Sequence, residues 1–308
     1  MKTYDLPRIR TSNGLKDYSI KEVSRINDNS IRGAENEMRC VDYYKIGNFS
    51  SGSNYFKYMD FDTALICLKS GKLRFAEPSR WDDQYESRFY TADYGNILKG
   101  QKEGNVCPVL YASCFTNKMD NEPAWKIYTY GKSNGGSKCI QFKLDRKMLR
   151  GELIKHLANC CVYEGCVSYF WQGFIDSMHR KNIKIGHKIK LHSLFFDDFD
   201  YDKYLNLMLL KRDSFEHEHE IRIMIVRDED KIDREKAGKN KENGKTIYGH
   251  NIDVQINWSN VIKEVRYDAS LTKAQRDELK DVMKKVDNSI MVKPYYVNGK
   301  KAKIIIEG

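Results

Sequence analysis

The stretch Phe215–Val226 combines charged side chains with an apolar half. From Ile221 onward it is β-branched and apolar, which predicts a buried strand. Because alternate residues of a strand share a face, Glu218, Glu220 and Arg222 are predicted on one face. A carboxylate that enters a core must be paired or catalytic. The stretch therefore predicts either a satisfied Glu–Arg pair at the mouth of a strand or two carboxylates facing a ligand cleft.

An acidic loop offers a second group of reactive side chains. Asp82, Asp83 and Glu86 lie in the run Arg80–Glu86, which follows a predicted strand, and loops in that position commonly carry functional residues. Together with the two glutamates of the buried strand, they would supply the oxygen ligands that Mg²⁺ prefers. A metal-dependent nuclease is therefore one hypothesis.

Histidine and cysteine side chains give weaker indications of a metal. His217 and His219 form an H-x-H pair beside the two glutamates. A second group has suitable residue types but no paired C-x-x-C spacing: His156, Cys160, Cys161 and Cys166. Packing or solvent exposure is the simpler interpretation of both groups, so no metal is predicted at these histidines and cysteines.

The composition limits the class of protein. The chain has 308 residues with 41% hydrophobic and 12% aromatic side chains, which is enough for a substantial core. No apolar run approaches the roughly 20 residues that cross a bilayer, and residues 1–13 lack the apolar segment of a signal peptide. The eight cysteines lie scattered among apolar neighbours, which is typical of buried thiols in a reducing compartment. We therefore expect a cytoplasmic protein with no membrane partner.

The chain is basic. Its net charge is +10, from 53 Lys and Arg against 43 Asp and Glu. Such a surplus suits a polyanion such as RNA or DNA, and it equally suits plain solubility. A non-enzymatic module that binds nucleic acid or protein is therefore a further hypothesis, in which Lys184, Lys188 and Lys190 would form a basic face. The solvated face of an ordinary strand is the simpler interpretation of these lysines.

Periodicity and turn residues predict an α+β fold in which strands outnumber long helices. Strands are predicted at 55–59, 72–76, 109–115, 138–142, 161–167 and 261–267, with a hairpin over 295–306 that turns at Asn298-Gly299. Helices are predicted at 15–26, 63–70, from 123, at 145–157, 170–178, 199–210 and 272–285. Expected helix ends include an N-cap at Asp60 or Asp62, a stop at Gly71 and an N-cap at Ser270 or Thr272.

Two parts of the chain are distinguished by composition. Residues 1–54 are polar, of mixed charge, and end in the linker-like run Gly47–Asn54. We interpret them as a polar N-terminal arm. Residues 55–308 carry the apolar periodic segments and are interpreted as a single α+β domain of catalytic type.

Four segments carry a family resemblance. They are Phe56-Lys57-Tyr58, the acidic loop Arg80–Glu86, the segment Ser113-Cys114-Phe115-Thr116 with Trp125 and Tyr128, and the run Phe215–Arg222. In order and spacing they resemble the bacterial family called domain of unknown function 2971, over about residues 55–285. Three residues depart from the family pattern: Asp82 in place of Asn, Gln84 in place of Pro and Phe215 in place of Trp.

The order of elements is also similar to the ADP-ribosyltransferase fold. That resemblance implies a central, mostly antiparallel split β-sheet with flanking helices. It also implies NAD as substrate, surrounded by a basic residue, a Ser or Thr, and a final Glu. On this chain these residues would be Lys57, Ser113 and Glu220, with Lys57 where Arg or His is usual.

Three aromatic residues complete the cofactor site that the resemblance implies. Tyr58 and Trp125 would stack on nicotinamide, and Tyr128 is assigned to the same site. Aromatic rings at such positions belong to a hydrophobic core more often than to a ligand site. The core interpretation therefore stays open beside the ligand interpretation.

The implied chemistry is the transfer of ADP-ribose from NAD to a macromolecule. Breaking the bond between nicotinamide and ribose builds positive charge on the sugar, which the Glu220 carboxylate would stabilise. Glu218 would position or deprotonate the acceptor, and Arg222 would orient Glu220. The expected acceptor is a nucleic acid, with RNA one candidate and a protein acceptor still open. The expected setting is a toxin or anti-phage effector with an antitoxin partner.

Overall fold

The computed structural model describes residues 9–11, 14–16, 21–26, 41–47, 52–78, 81, 83, 86, 109–130, 138–158, 160–171, 184–185, 189–190, 201–227, 241–242, 245–246 and 251–296. The chain divides into two compact units. The first comprises Met1–Ser50, Phe75–Cys114 and Leu157–Ile252. The second comprises Ser51–Arg74, Phe115–His156 and Asp253–Gly308.

The described elements are numbered along the chain. The strands are β1 (Ile9–Thr11), β2 (Gly14–Lys16), β3 (Val23–Arg25), β4 (Val41–Ile46), β5 (Asn54–Asp60), β6 (Lys72–Ala76), β7 (Val109–Thr116), β8 (Cys139–Asp145), β9 (Cys160–Cys166), β10 (Ser168–Phe170), β11 (Lys184–Ile185), β12 (Ile189–Lys190), β13 (Leu210–Arg212), β14 (Glu220–Arg227), β15 (Lys241–Glu242), β16 (Lys245–Thr246), β17 (Asn251–Gln255), β18 (Ile262–Asp268) and β19 (Met291–Tyr295). The helices are α1 (Phe61–Ser70), α2 (Glu122–Tyr130), α3 (Arg146–His156), α4 (Tyr201–Leu207), α5 (Trp258–Val261) and α6 (Lys273–Val286), with a 3₁₀ helix at Asp213–Glu218.

The first unit is built on a mixed sheet with the strand order β7–β14–β9–β4–β3. Strand β14 runs antiparallel to β9, whereas β4 runs parallel to β9. Both faces of β14 are buried, since each of these side chains is at most 1% exposed: Ile221, Arg222, Ile223, Met224 and Ile225. The predicted buried strand is confirmed from Ile221 onward.

Part of the predicted N-terminal arm belongs to this sheet. Strand β4 pairs with β9, and β3 pairs with β4. The helix predicted over 15–26 is wrong where the structure describes it, because Val23–Arg25 is extended and paired along β4. A polar segment of this kind has little apolar face to bury as a helix, but as a strand it satisfies its backbone groups. The boundary at residue 54 and the single domain over 55–308 stay predictions.

A glycine on β9 leaves room for a neighbouring side chain to pack closely against this sheet. Gly165 on β9 lies opposite Arg222 on β14. A Cβ atom at Gly165 would lie 2.4 Å from Leu209 Cδ1 and 3.3 Å from Ile46 Cβ. Leu209 therefore occupies the space of the missing side chain, which brings the connection between α4 and β13 onto the sheet beside Arg222.

The second unit contains a mixed sheet with the order β19–β18–β8–β5. Strands β18 and β19 are parallel, and the β18–β8 and β5–β8 pairs are antiparallel. The predicted helix ends are confirmed. Asp60 caps α1 by accepting from the Thr63 N–H at 2.9 Å, and Gly71 ends it at φ 65°. Thr272 and Gln275 form a reciprocal capping box on α6.

Two predicted helices differ from the structure. The helix expected over 199–210 is shorter, because α4 ends at Leu207 and Leu210 begins β13, which pairs in parallel with β10. Phe170, expected to begin a helix, belongs to β10 for the same reason. Other sequence predictions lie outside the described residues: the turn at Asn298-Gly299, the acidic-loop residue Asp82, Lys188 of the basic face, and the predicted helix over 170–178 beyond residue 171. Among the described helices, none is long and apolar enough to cross a membrane.

Candidate functional site

The two glutamates of the key stretch lie where a 3₁₀ helix meets β14. Glu218 is the last residue of the helix, and Glu220 is the first of the strand. His219 between them has φ 46° and ψ 48°, a left-handed conformation that is uncommon for a residue with a side chain. The prediction that Glu218 lies on the strand is therefore wrong, because the backbone turns at His219.

Both carboxylates nevertheless bind the same cation, the ammonium of Lys211 on β13. Lys211 Nζ lies 2.6 Å from Glu218 Oε2 and 2.9 Å from Glu220 Oε2, and 3.2 Å from Glu86 Oε1. The β10–β13 pairing sets Lys211 opposite Tyr169. The Tyr169 hydroxyl in turn accepts the backbone N–H of Glu220 at 2.8 Å. Two short parallel strands thus fix Lys211 and Glu220 against each other.

The guanidinium of Arg222 binds the same acids from the other side. Its Nε donates to Glu220 Oε1 at 2.7 Å, and its Nη2 donates to Glu86. Its Nη1 donates to the Met208 carbonyl at 2.6 Å, and the Trp81 ring covers its Cζ at 4.5 Å. The predicted Glu220–Arg222 pair is confirmed. We call Glu86, Lys211, Glu218, Glu220 and Arg222 the carboxylate cluster.

The acidic loop contributes to the cluster through Glu86. The backbone N–H of Glu86 donates to the Asp83 carbonyl at 3.1 Å, and Asp83 Oδ2 accepts from Arg212 Nη2 at 2.8 Å. Arg212 is the neighbour of Lys211 on β13, so this strand binds the acidic loop as well as the two glutamates. Two of the three predicted acids of the loop are therefore located at the cluster, and Asp82 lies outside the described residues.

Burial and charge act in opposite directions on these groups. Burial alone would raise the pKa of Glu220, but Arg222 and Lys211 outweigh it and hold that pKa well below its usual range. The pKa of Glu86 is raised, because burial, together with the Glu220 charge, outweighs the lowering by Arg222 and Lys211. Burial alone would lower the pKa of Lys211, yet the carboxylates around it raise that pKa. Glu220 is therefore ionised and Lys211 charged in the folded protein.

The three carboxylates differ in access to solvent. The side chain of Glu218 is 24% exposed, whereas those of Glu220 and Glu86 are 4% and 6% exposed. The thiol of Cys114 on β7 also donates to Glu220. The pKa of this thiol is raised, mainly by burial and further by the Glu220 charge. Glu220 is thus enclosed by protein groups, and Glu218 lies at the edge of the cluster.

The cluster already contains cations, which bears on metal binding. Oxygens of all three carboxylates accept hydrogen bonds from Lys211 or Arg222. A divalent ion would have to displace these charged donors. Among the described residues, no group of three or more His, Cys, Asp and Glu side chains is arranged to hold a metal ion.

The aromatic residues predicted to meet nicotinamide lie in the second unit. Tyr58 and Trp125 are 7% and 2% exposed and meet edge to face at 5.5 Å. Trp125 stacks on Tyr295 at 4.3 Å, and the Tyr58 hydroxyl donates to the Met119 carbonyl at 2.8 Å. Burial raises the pKa of Tyr58. Both rings belong to a hydrophobic core here, and stacking on nicotinamide stays a prediction.

The remaining predicted ligand residues are placed as follows. Lys57 Nζ, in the second unit, lies 4.6 Å from the centre of the Phe115 ring. Ser113, in the first unit, is 4% exposed on β7 and precedes Cys114; consecutive strand residues point to opposite faces. Tyr128 lies on α2, with its side chain outside the description. The roles of these residues toward NAD stay predictions.

Sequence reasoning missed several residues of the site. Lys211, Arg212, Tyr169, Trp81 and Cys114 contact the acids or their arginine, and the sequence predicts no role for them. A signal existed for Lys211, since the basic pair Lys211-Arg212 comes just before the acidic run. Buried acids need counter-charges, and an adjacent basic pair is an obvious source.

Comparisons with solved structures give a distant structural likeness. No family model matches the chain, and no curated protein matches it. The motifs shared with the domain of unknown function 2971 family therefore remain a resemblance. Among solved structures, the chain is similar to DarT from Thermus sp. 2.9 in complex with ADP-ribosylated single-stranded DNA. The identity is 10% and the TM-score 0.33, over 80% of this chain and 96% of that chain.

Proposed function

We propose that this chain is an ADP-ribosyltransferase that consumes NAD and modifies a nucleic acid, acting as a toxin or anti-phage effector controlled by an antitoxin protein. The observation that carries the proposal is the pair of glutamates where the 3₁₀ helix meets β14. Glu220 is ionised although buried, and Glu218 lies at the solvent edge 2.6 Å from the Lys211 ammonium that also binds Glu220.

Fixed carboxylates suit a reaction that generates a sugar cation. When the bond between nicotinamide and ribose C1′ breaks, its electron pair leaves with nicotinamide and positive charge develops on the ribose. A preorganised negative group in a water-poor setting stabilises such charge far more than it would in bulk water. The acceptor atom then bonds to C1′, and its proton passes to a carboxylate and on to solvent.

The charge of the chain supports a nucleic acid as acceptor. The surplus of ten positive charges favours association with a polyanion, and the association should weaken as salt rises. Both RNA and single-stranded DNA offer nucleophilic oxygen and nitrogen atoms to the ribose cation. We take RNA as the first acceptor to test, with single-stranded DNA beside it.

The arrangement gives less support to a metal-dependent nuclease. That hypothesis used Asp82, Asp83, Glu86, Glu218 and Glu220 as ligands for Mg²⁺. In the structure Glu86, Glu218 and Glu220 bind Lys211, and Asp83 binds Arg212. Carboxylate oxygens that already bind ammonium and guanidinium groups at these distances are poorly placed to coordinate Mg²⁺.

Incubation with NAD labelled on the adenylate tests the proposal. Purified protein is mixed with RNA or single-stranded DNA, with and without a chelator. Label is expected on the nucleic acid, with release of nicotinamide, and the chelator is expected to have no effect. Glu278→Gln is the matched control, since Glu278 pairs with Lys69 at the surface of α6. Folded protein that transfers no label and consumes no NAD would refute the proposal, and cleavage lost with chelator would favour the nuclease.

A further inference from the structure

The two glutamates where the 3₁₀ helix meets β14 differ in what surrounds them. Glu220 accepts from Arg222 Nε at 2.7 Å, Arg222 Nη2 at 3.2 Å and Lys211 Nζ at 2.9 Å, and the Cys114 thiol donates to it as well. A carboxylate offers about four acceptor positions. Protein donors therefore occupy the Glu220 carboxylate, and its side chain is only 4% exposed. A substrate hydroxyl would have to displace one of these groups.

Glu218 is the more exposed of the two glutamates. Its side chain is 24% exposed, so part of it reaches the solvent from which a substrate arrives. Its Oε2 is held by the 2.6 Å contact to Lys211, and that lysine is itself only 10% exposed. The carboxylate is thus accessible and also held in position.

The backbone between the two residues separates their environments. On a continuous strand, Glu218 and Glu220 would share one face at the same depth. The left-handed conformation of His219 interrupts the strand, and Glu218 lies on the preceding 3₁₀ helix. Strained residues of this kind are concentrated at functional sites. Here the turn leaves Glu220 in the core and Glu218 partly exposed to solvent, and both contact Lys211.

We propose that Glu218 is the carboxylate that contacts the substrate, while Glu220 and Lys211 are positioning residues that act through it. The assignment rests on the proposed function, in which the group contacted is the NAD ribose. It moves stabilisation of the ribose cation from Glu220 to Glu218, while Glu218 keeps the role toward the acceptor that the sequence predicted for it. Lys211 bridges Glu218 to Glu220, and Arg222 with Tyr169 holds Glu220 in place. The chain of contacts runs from the core of the sheet to the reacting carboxylate.

The step assigned to Glu218 is balanced as follows. The C1′–nitrogen bond of NAD breaks, and its electron pair leaves on neutral nicotinamide. The Glu218 carboxylate stabilises the ribose cation without forming a bond to it. As the acceptor oxygen or nitrogen bonds to C1′, its proton moves to Glu218 and then to water, which regenerates the carboxylate.

Two measurements on the full chain test the assignment. The first is amidation of carboxylates with a carbodiimide and glycine ethyl ester, read by mass spectrometry with and without NAD. The second is NAD turnover with urea midpoints for Glu218→Gln, Glu220→Gln and the control Glu278→Gln. We expect Glu218 to be amidated much faster than Glu220 and to be protected by NAD. Glu218→Gln should lose about 100-fold or more in kcat and keep the urea midpoint of the control, whereas Glu220→Gln should lower the midpoint.

Lys211 variants separate positioning from general destabilisation. Lys211→Arg keeps a cation within reach of Glu218 and should retain more of kcat than Lys211→Met. Both variants are assayed under conditions in which their urea curves show them to be folded. Equal losses in the two variants would overturn the positioning role.

The outcomes distinguish this inference from the proposed function. If Glu218→Gln turns over NAD like the control while Glu220→Gln does not, the function stands and the assignment is overturned. If the wild-type chain consumes no NAD, the function fails, and the proposed contact between Glu218 and the ribose fails with it. The amidation experiment remains informative in that case. Equal amidation rates at Glu218 and Glu220 would overturn the difference in solvent access on which the assignment depends.

Discussion

Removal of the Lys211 ammonium should strongly destabilise the first unit. Lys211 Nζ lies within 2.6 to 3.2 Å of three carboxylates and its side chain is 10% exposed. Lys211→Met keeps most of the apolar stem and deletes the charge. Glu220 and Glu86 would then share Arg222 as the remaining cation of the cluster. Breaking a buried ion pair from one side costs about 3–5 kcal/mol, and we expect a loss in that range near neutral pH.

A surface lysine provides the matched control. Lys69 Nζ lies 2.8 Å from Glu278 Oε1, a distance like those around Lys211, but the two side chains are 54% and 47% exposed. Water screens such a pair, which contributes about 0–1 kcal/mol. Lys69→Met makes the same chemical change without burial. The difference between the two variants therefore measures the effect of burial on one kind of ion pair.

Urea denaturation followed by circular dichroism and tryptophan fluorescence is a suitable assay. With a slope of about 2–3 kcal/mol per molar urea, Lys211→Met should lower the midpoint by about 1–2 M, and Lys69→Met by less than about 0.5 M. The penalty of Lys211→Met should shrink as the pH falls, because protonated carboxylates no longer need the ammonium. Equal midpoints for the two variants would refute the view that Lys211 holds the cluster together.

Other substitutions test the elements that position the site. Gly165→Ala forces a Cβ atom to within 2.4 Å of Leu209 and should lower the free energy of unfolding by about 1–3 kcal/mol. Gly151→Ala on α3, where a Cβ atom would have nothing within 4 Å, should raise the free energy of unfolding by about 0.5–1 kcal/mol. Similar urea midpoints for the two variants would contradict this. Thr272→Ala removes the cap of α6 and should lower the free energy of unfolding by about 1 kcal/mol in thermal melts; no change would argue against the capping box. Because the pKa of Glu220 is lowered by folding, its contribution is present above the unfolded pKa and is lost as the pH falls. Glu220→Gln should therefore flatten the decline of the urea midpoint between about pH 5 and 2, and an unchanged slope would show that Glu220 is not held ionised.

Local chemistry made much of the fold predictable from the sequence. The strand after Glu220 follows from a β-branched run. The ends of α1 follow from Asp60 and Gly71, whose roles depend on a few neighbouring residues. The Glu220–Arg222 pair was also predictable, because the two residues are separated by one position on the same strand.

The rest of the site depends on contacts that periodicity does not encode. Glu86 meets Arg222 across 136 residues of sequence, so its membership in the cluster is a property of the folded chain. The turn at His219 breaks a pattern that otherwise continues in steps of two. The alternating pattern favours one continuous strand there, and the tertiary contacts of Glu218 and Glu220 with Lys211 override it.

Release of nicotinamide from NAD is the most direct measure of the central claim. Purified wild-type chain, Glu278→Gln and Glu218→Gln are incubated with NAD and RNA, and nicotinamide is quantified by chromatography over time. The carboxylate cluster predicts equal release by the wild-type chain and Glu278→Gln, with little or none by Glu218→Gln. No release by the folded wild-type chain with RNA or single-stranded DNA would contradict the account.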